Sequence, residues 1–303
     1  DDEGRTWSPP ELLADGCNRG ADVTVGGGRP VVVYGAGVNG VTDHYRSKIY
    51  LRFAADDLGT NWNPPVLLHS DEDGFGGEYL GMAYHAVSST VGVTWTTDPA
   101  DTYSDRSRLL FCHGIDASGN CSAYPPVLLT EMKTCGQPLA LEATAETATA
   151  SWLFATRMYG RTVRVDQVDG ALVSTTVTQP PPPDDRSLYL HCEQLNLGMS
   201  ESTPVLVAQE DGYTDHQFLH FAMALDPLGA AWPARPTFVA PVTTTRMGFP
   251  VAVAVRRGVP LLYAYDENPV VFAPADGAGT EWPANSTARV PGFGLDGELY
   301  AAC

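Results

Sequence analysis

Basic residues are scarce in this chain. Lysine and arginine together number 18, against 36 aspartates and glutamates, for a formal charge of −18 over 303 residues. A field of that sign repels phosphate backbones, so nucleic-acid binding is excluded as the main function. Long apolar runs are missing too, and none approaches the roughly 20 residues that a membrane-spanning helix needs. No capped stretch of helical periodicity reaches a useful length, so the chain does not read as helical. No Cys-x-x-Cys or Cys/His spacing suits zinc, no His-Glu-x-x-His pair is present, and no Gly-x-Ser-x-Gly elbow presents a serine. No leader peptide is visible, although a mature chain would have lost one.

What is present is a repeated unit. Residues 48–68 read KIYLRFAADDLGTNWNPPVLL. Ile49, Leu51 and Phe53 alternate with Tyr50, Arg52 and Ala54, as a half-buried strand requires. A turn with Asp56 and Gly59 follows, then Trp62, whose indole can fold over the hairpin and supply apolar area that short strands lack. The unit returns as Asp1, Gly4 and Trp7, as Asp226, Gly229 and Trp232, and as Asp276, Gly279 and Trp282. A weaker copy runs from Asp116 through Gly119 to Tyr124, and a still weaker one from Asp166 to Gly170. Trp7 and Trp62 stand 55 residues apart, and Trp232 and Trp282 stand 50 apart. Short strands recurring at this period are the signature of β-propeller blades.

Asp-x-x-Gly-x-x-Trp between two strands resembles the Asp-box repeat of sialidases and related propellers. The surrounding GRPVVVYG and KIYLRFAADDLGTNWNPPVLL are similar to repeats of secreted propeller proteins. The resemblance implies an all-β propeller of four-stranded antiparallel blades spanning residues 1–303 as a single domain. In sialidases the box is a structural device on the blade rim, remote from catalysis, so it speaks for the fold and not for an activity.

Five complete blades can be laid out, with innermost strands expected in ADVTV, YLGMAYHA, LALEATA, LYLHCEQL and FPVAVAV. Gln179–Arg186, with four consecutive prolines, reads as a stiff connector. Leu299–Cys303 and Ser8–Leu13 then supply the inner and outer strands of a partial sixth blade. Two middle strands of that blade have no counterpart, so the expectation is a six-bladed ring with a gap, in a segment of a longer protein or with another segment filling it.

Six cysteines suit an oxidising compartment and hence an extracellular or cell-surface location. Of the fifteen pairings open to six cysteines, the blade layout favours Cys112–Cys121, Cys135–Cys192 and Cys17–Cys303. Asn120 and Asn285 lie in glycosylation sequons.

Chemistry is harder to find. Sialidases need three arginines around a carboxylate, an Arg-Ile-Pro motif, a Tyr/Glu pair and an aspartate acid, whereas Arg29-Pro30 here lacks the isoleucine. Arg52, Arg157 and Arg246 have no spacing that forces them together. Glu142, Glu193 and Glu298 are lone carboxylates on expected innermost strands. Asp71, Asp73 and Glu78, and likewise Asp211 and Asp215, flank glycines at alternating positions, but neither set completes a calcium loop. No cofactor is expected, with calcium the one ion those turns could take. Tyr45, Phe75, Tyr79, Tyr103, Tyr159 and Tyr213 read as loop aromatics. Propeller lectins bind sugars between blades with aromatic faces plus carboxylates or arginine, and Tyr103 and Tyr213, in like positions between the second and third strands of their blades, are the candidates for such a role.

The sequence thus predicts an extracellular propeller whose recognisable residues serve the scaffold. The expected role is a non-catalytic binding, adhesion or structural module that takes other extracellular proteins or glycans as partners. A lectin, and after it a glycosidase, is the alternative.

Overall fold

The computed structural model describes residues 12–13, 17–37, 47–71, 74–86, 88–99, 107–116, 118–119, 126–132, 139–144, 151–158, 162–168, 173–178, 195–200, 203–211, 217–227, 229–233, 237–242, 252–256, 258–266, 268–276, 279–283 and 287–289. These form twenty strands in five four-stranded antiparallel sheets. Blade 1 comprises β1 (Cys17–Gly26), β2 (Arg29–Gly37), β3 (Ser47–Phe53) and β4 (Val66–Asp71). Blade 2 comprises β5 (Gly74–His85), β6 (Thr90–Pro99), β7 (Ser107–Ile115) and β8 (Val127–Met132). Blade 3 comprises β9 (Leu139–Thr144), β10 (Ser151–Met158), β11 (Thr162–Val168) and β12 (Val173–Thr178). Blade 4 comprises β13 (Leu195–Ser200), β14 (Thr203–Asp211), β15 (Gln217–Met223) and β16 (Thr237–Val242). Blade 5 comprises β17 (Ala252–Arg256), β18 (Val259–Asp266), β19 (Asn268–Phe272) and β20 (Thr287–Arg289).

Each sheet is a meander in chain order. The first strand of each blade packs on the first strand of the next: β1 on β5, β5 on β9, β9 on β13 and β13 on β17. Sheets that share one innermost edge in succession are arranged about an axis, which makes the fold a β-propeller.

Burial follows the two-residue period of the strands. In blade 4, Leu206, Ala208, Ala222 and Ala224 pack with Leu153 of blade 3. The alternate residues Val205, Val207, Leu219 and Phe221 pack with Leu262, Val270 and Phe272 of blade 5. Val31, Val33, Ile49, Leu51 and Phe53 of blade 1 meet Leu80, Met82, Val91, Val93 and Trp95 of blade 2. The hydrophobic core is therefore a series of inter-blade seams, and interior blades are apolar on both faces.

Several sequence expectations need correction. The innermost strand of blade 4 is Leu195–Ser200 and not LYLHCEQL, because Ser200 pairs with Thr203 in a tight hairpin and Leu195 and Leu197 bury themselves toward blade 3. Phe75 and Tyr79 lie within β5, not in a loop, with Phe75 opposite Asp98. Asp166 is inside β11 opposite Ser174, so the weakest copy of the repeat is strand at its aspartate. Cys112, buried on β7, is disulfide-bonded. Cys121, Cys135, Cys192, Cys303, Asn120, Asn285, Asp1, Gly4 and Trp7 lie outside the described residues, as do the Pro-rich connector and the expected strands of a sixth blade apart from Leu12 and Leu13, which are not in a strand.

Candidate functional site

Three copies of the turn are built alike. In blade 1 the Asp56 carboxylate accepts from the N–H groups of Leu58 (3.2 Å) and Thr60 (2.9 Å), the Thr60 hydroxyl (2.7 Å) and the Asn61 amide (2.8 Å). In blade 4 the Asp226 carboxylate accepts from Ala230 N–H (3.1 Å) and Ala231 N–H (2.6 Å). In blade 5 Asp276 accepts from Thr280 N–H (2.9 Å), Glu281 N–H (3.4 Å) and the Thr280 hydroxyl. The Thr60 hydroxyl and N–H, with Asn61, hold Asp56 well below the ordinary carboxylate range, and the Thr280 hydroxyl lowers Asp276 likewise. The indole N–H groups of Trp232 and Trp282 donate to the carbonyls of Gly229 (2.8 Å) and Gly279 (2.6 Å). Gly59, Gly229 and Gly279 all have positive φ, near 70°, so a left-handed residue closes each loop. The copy at Asp116 keeps the Ser118 N–H bond (2.9 Å) and the left-handed Gly119. These aspartates are spent on their own turns.

The innermost strands carry a second repeated device. Asp22 on β1 turns its carboxyl into the seam with blade 2, where it accepts the Met82 N–H at 2.7 Å and its neighbour Val23 N–H at 2.8 Å. Burial raises its pKa to about 6, only partly offset by those two hydrogen bonds. In blade 4, Asn196 sits in the same register: Asp22 pairs with Val33 and Asn196 with Val207, each the third residue after a proline that begins the second strand's core (Pro30, Pro204). Its side-chain oxygen accepts the Val253 N–H of blade 5 at 3.4 Å. An amide cannot exchange a proton there, so the shared function is to clasp one innermost strand to the next. Asp22 was not singled out in the sequence; the signal was a carboxylate five residues before the hairpin turn, beside Val23 and Val25.

The candidate catalytic groups do not assemble among the described residues. Arg52 lies on β3, two strands out from the axis, and donates to the carbonyls of Asn63 and Leu13. Arg157 is on β10 and Glu142 on β9 opposite Leu153, while Arg246, Glu193 and Glu298 are outside the described residues. Asp71 closes β4, Glu78 is inside β5 and Asp211 closes β14, whereas Asp73 and Asp215 are outside the described residues. Asp71 and Glu78 thus straddle the crossover from blade 1 to blade 2 instead of sharing one turn. No group of three or more His, Cys, Asp or Glu side chains able to hold a metal occurs among the described residues. No helix is long and apolar enough to cross a membrane among them.

The connections between second and third strands have a common place. Because every sheet is a meander of the same order, they all leave one end of the propeller, opposite the Asp turns that join third strands to fourth. Tyr45 falls between β2 and β3, Tyr103 between β6 and β7, Tyr159 between β10 and β11, and Tyr213 between β14 and β15. All four tyrosines are outside the described residues.

No protein family matches the chain, and no curated protein matches it. Solved structures of similar shape include the SapL1 lectin in complex with alpha methyl fucoside, with TM-score 0.48 and 12% identity over 90% of this chain and 81% of the lectin. CoXyl43, a GH43 β-xylosidase/α-arabinofuranosidase from a compost microbial metagenome, gives TM-score 0.49 and 9% identity over 90% of this chain and 95% of the enzyme. The exo-β-1,3-galactanase of Phanerochaete chrysosporium gives TM-score 0.48 and 11% identity over 88% of this chain, which spans 62% of that enzyme. At such identities these likenesses concern the fold alone. Glycoside hydrolases nevertheless stand among them beside lectins, and the expectation that this chain is not an enzyme is withdrawn on that finding.

Proposed function

We propose that this chain is a secreted β-propeller of the Asp-box kind that recognises carbohydrate through the loops joining the second and third strands of its blades. The observation that carries the reading is the recurrence of tyrosine beside ionisable side chains in those loops. Asp43, His44, Tyr45 and Arg46 stand together after β2; Asp101, Tyr103, Asp105 and Arg106 after β6; Tyr159 and Arg161 after β10; Tyr213, Asp215 and His216 after β14. A tyrosine offers a flat apolar face to the C–H side of a sugar ring, and its hydroxyl, a carboxylate or a guanidinium can bond the ring hydroxyls. The three Asp turns, with their shared acceptor geometry and indole bonds, support kinship with Asp-box propellers. The disulfide at Cys112 supports an oxidising compartment.

A glycan array probed with folded protein tests the reading, together with Tyr103→Ala and Tyr213→Ala. Saturable binding that weakens at least tenfold in both variants is expected. Binding to no glycan, or binding untouched by either change, overturns it. Fluorogenic glycosides decide whether recognition is followed by turnover.

A further inference from the structure

Three of the Asp turns carry a tryptophan, and the turn of blade 2 does not. Trp62, Trp232 and Trp282 stand six residues after Asp56, Asp226 and Asp276, whereas the sixth residue after Asp116 is Ser122. The rest of the turn is kept: Gly119 N–H donates to the Asp116 carbonyl at 2.8 Å, as Gly229 N–H does to the Asp226 carbonyl at 3.2 Å. In blades 4 and 5 the indole packs into the seam with the preceding blade. Trp232 is buried with Ala222 and Ala224, and Trp282 packs on the cluster that holds Phe272. Ala222 and Phe272 each stand four residues before their turn aspartate. The residue four before Asp116 is Cys112, which is wholly buried in the seam with blade 1 and disulfide-bonded.

Strand β7 carries one extra residue at this point. Val93 pairs with Cys112 and Val91 with Ile115, so two steps along β6 face three along β7. Ile115 thereby takes the place beside the second strand that Ala224, bonded to the Pro204 carbonyl, has in blade 4. In the other turns the residue before the aspartate donates to the carbonyl of the fifth residue after it: Ala55 to Asn61, Leu225 to Ala231 and Ala275 to Glu281. The residues in those places in blade 2 are Ile115 and Cys121. Residues opposite each other in an antiparallel pair share a face, and Ile115 is buried beside Cys112 in the seam with blade 1.

We propose that Cys112 is bonded to Cys121, and that this disulfide replaces the turn indole in blade 2. The extra residue of β7 delivers Cys121, and not Ser122, to the indole's place. Cys17 is too distant to compete. Cys112 is level with Val93, Val93 with Met82, and the Met82 N–H with the Asp22 carboxylate. Cys17 lies five residues before Asp22 on β1, about 15 Å along the strand, where a disulfide needs Cα atoms within about 7 Å. Cys135 and Cys192 precede β9 and β13 of blades 3 and 4, whereas Cys112 is on the face of blade 2 toward blade 1. The turn of blade 2 is then fastened covalently into its seam, and only under oxidising conditions.

Peptide mapping of the alkylated, unreduced full chain tests the pairing. Cleavage at Asp116 puts Cys112 and Cys121 on separate peptides, which should stay joined until a reductant is added. Cys112 joined to any other cysteine overturns the proposal. Thermal melts test the replacement. Cys112→Ala with Cys121→Ala should lower the midpoint, and Cys112→Ala with Cys121→Trp, which copies the Ala222 and Trp232 pair of blade 4, should regain at least half of the loss. If the alanine pair does not fold, recovery of folded protein in the tryptophan variant is the same readout. An alanine pair as stable as the wild type, or a tryptophan variant no better than the alanine pair, overturns the replacement.

Discussion

Gly92 of blade 2 lies against the indole of Trp152 in blade 3, so close that a Cβ on the glycine would stand 2.6 Å from the six-membered ring. Trp152 is wholly buried, with Phe111 edge-on to it at 5.7 Å and His85 tilted at 5.9 Å. The seam between these blades thus depends on a missing side chain. Gly92→Ala should destabilise the protein by about 1–3 kcal/mol through overpacking, read as a lower urea midpoint with unchanged slope. A double change that also trims the indole, Gly92→Ala with Trp152→Phe, should recover part of that loss relative to Trp152→Phe alone. Strict additivity of the two would show that the contact carries no energy.

The turn glycines make a graded prediction. Gly59 and Gly279 share a left-handed backbone, and alanine at either pays the corresponding penalty of about 1 kcal/mol. Gly279→Ala adds a collision with the Phe221 ring of blade 4, whereas at Gly59 the nearest atom is a Pro30 ring carbon at 3.2 Å. Thermal melts should therefore show Gly279→Ala losing clearly more stability than Gly59→Ala. Equal losses would mean that the turns do not brace the blades.

Much of this architecture was readable in the chain. Alternation at Ile49, Leu51 and Phe53 gave β3, and the Asp-Gly-Trp spacing located three turns whose hydrogen bonds now repeat. Blade 4 was misread at its inner edge because LYLHCEQL and LNLGMS are both apolar and adjacent, and only the Ser200–Thr203 hairpin decides between them. Phe75 and Tyr79 misled for the reverse reason: glycines around them look like loop, yet Phe75 pairs with Asp98 of β6 and Tyr79 falls in the bulge between Gly76 and Leu80 of the same strand. The role of Asp22 was hidden because its partner, the Met82 N–H, belongs to another blade 60 residues away. Local pattern reports strands well; it cannot report which backbone group a side chain will meet across a seam.

Ser89, in the hairpin between β5 and β6, has a φ of 54°. This is the left-handed region, which costs a residue with a Cβ about 1 kcal/mol relative to glycine. Its neighbour Ser88 already supplies the polar contacts, with its hydroxyl 2.7 Å from His85 Nδ1 and 2.7 Å from the Thr90 hydroxyl. Ser89→Gly should leave stability unchanged or raise it by up to about 0.5–1 kcal/mol in urea titrations. A clear loss would place an unseen contact at the Ser89 side chain.

Asp22 gives the pH dependence its sign. Its pKa is about 6 in the folded chain against 3.8 for the unperturbed group, so the folded state holds the proton more tightly than the unfolded state. Stability contributed by this group is fully present below pH 3.8, falls as pH rises through the folded pKa, and is absent above it. At neutral pH the buried charge is a cost, eased by the Met82 and Val23 N–H groups. Asn196, in the same register of blade 4, shows that a neutral amide can make the clasp. Asp22→Asn gives up one of the two acceptors, worth about 1 kcal/mol, and escapes the charge burial, worth on the order of 2–3 kcal/mol. The variant should be the more stable protein at pH 7.5, by about 1–2 kcal/mol, with the advantage gone near pH 4. Urea titrations at the two pH values measure this directly. A variant destabilised equally at both would mean that folding does not raise the Asp22 pKa and that the second acceptor oxygen is what the seam requires.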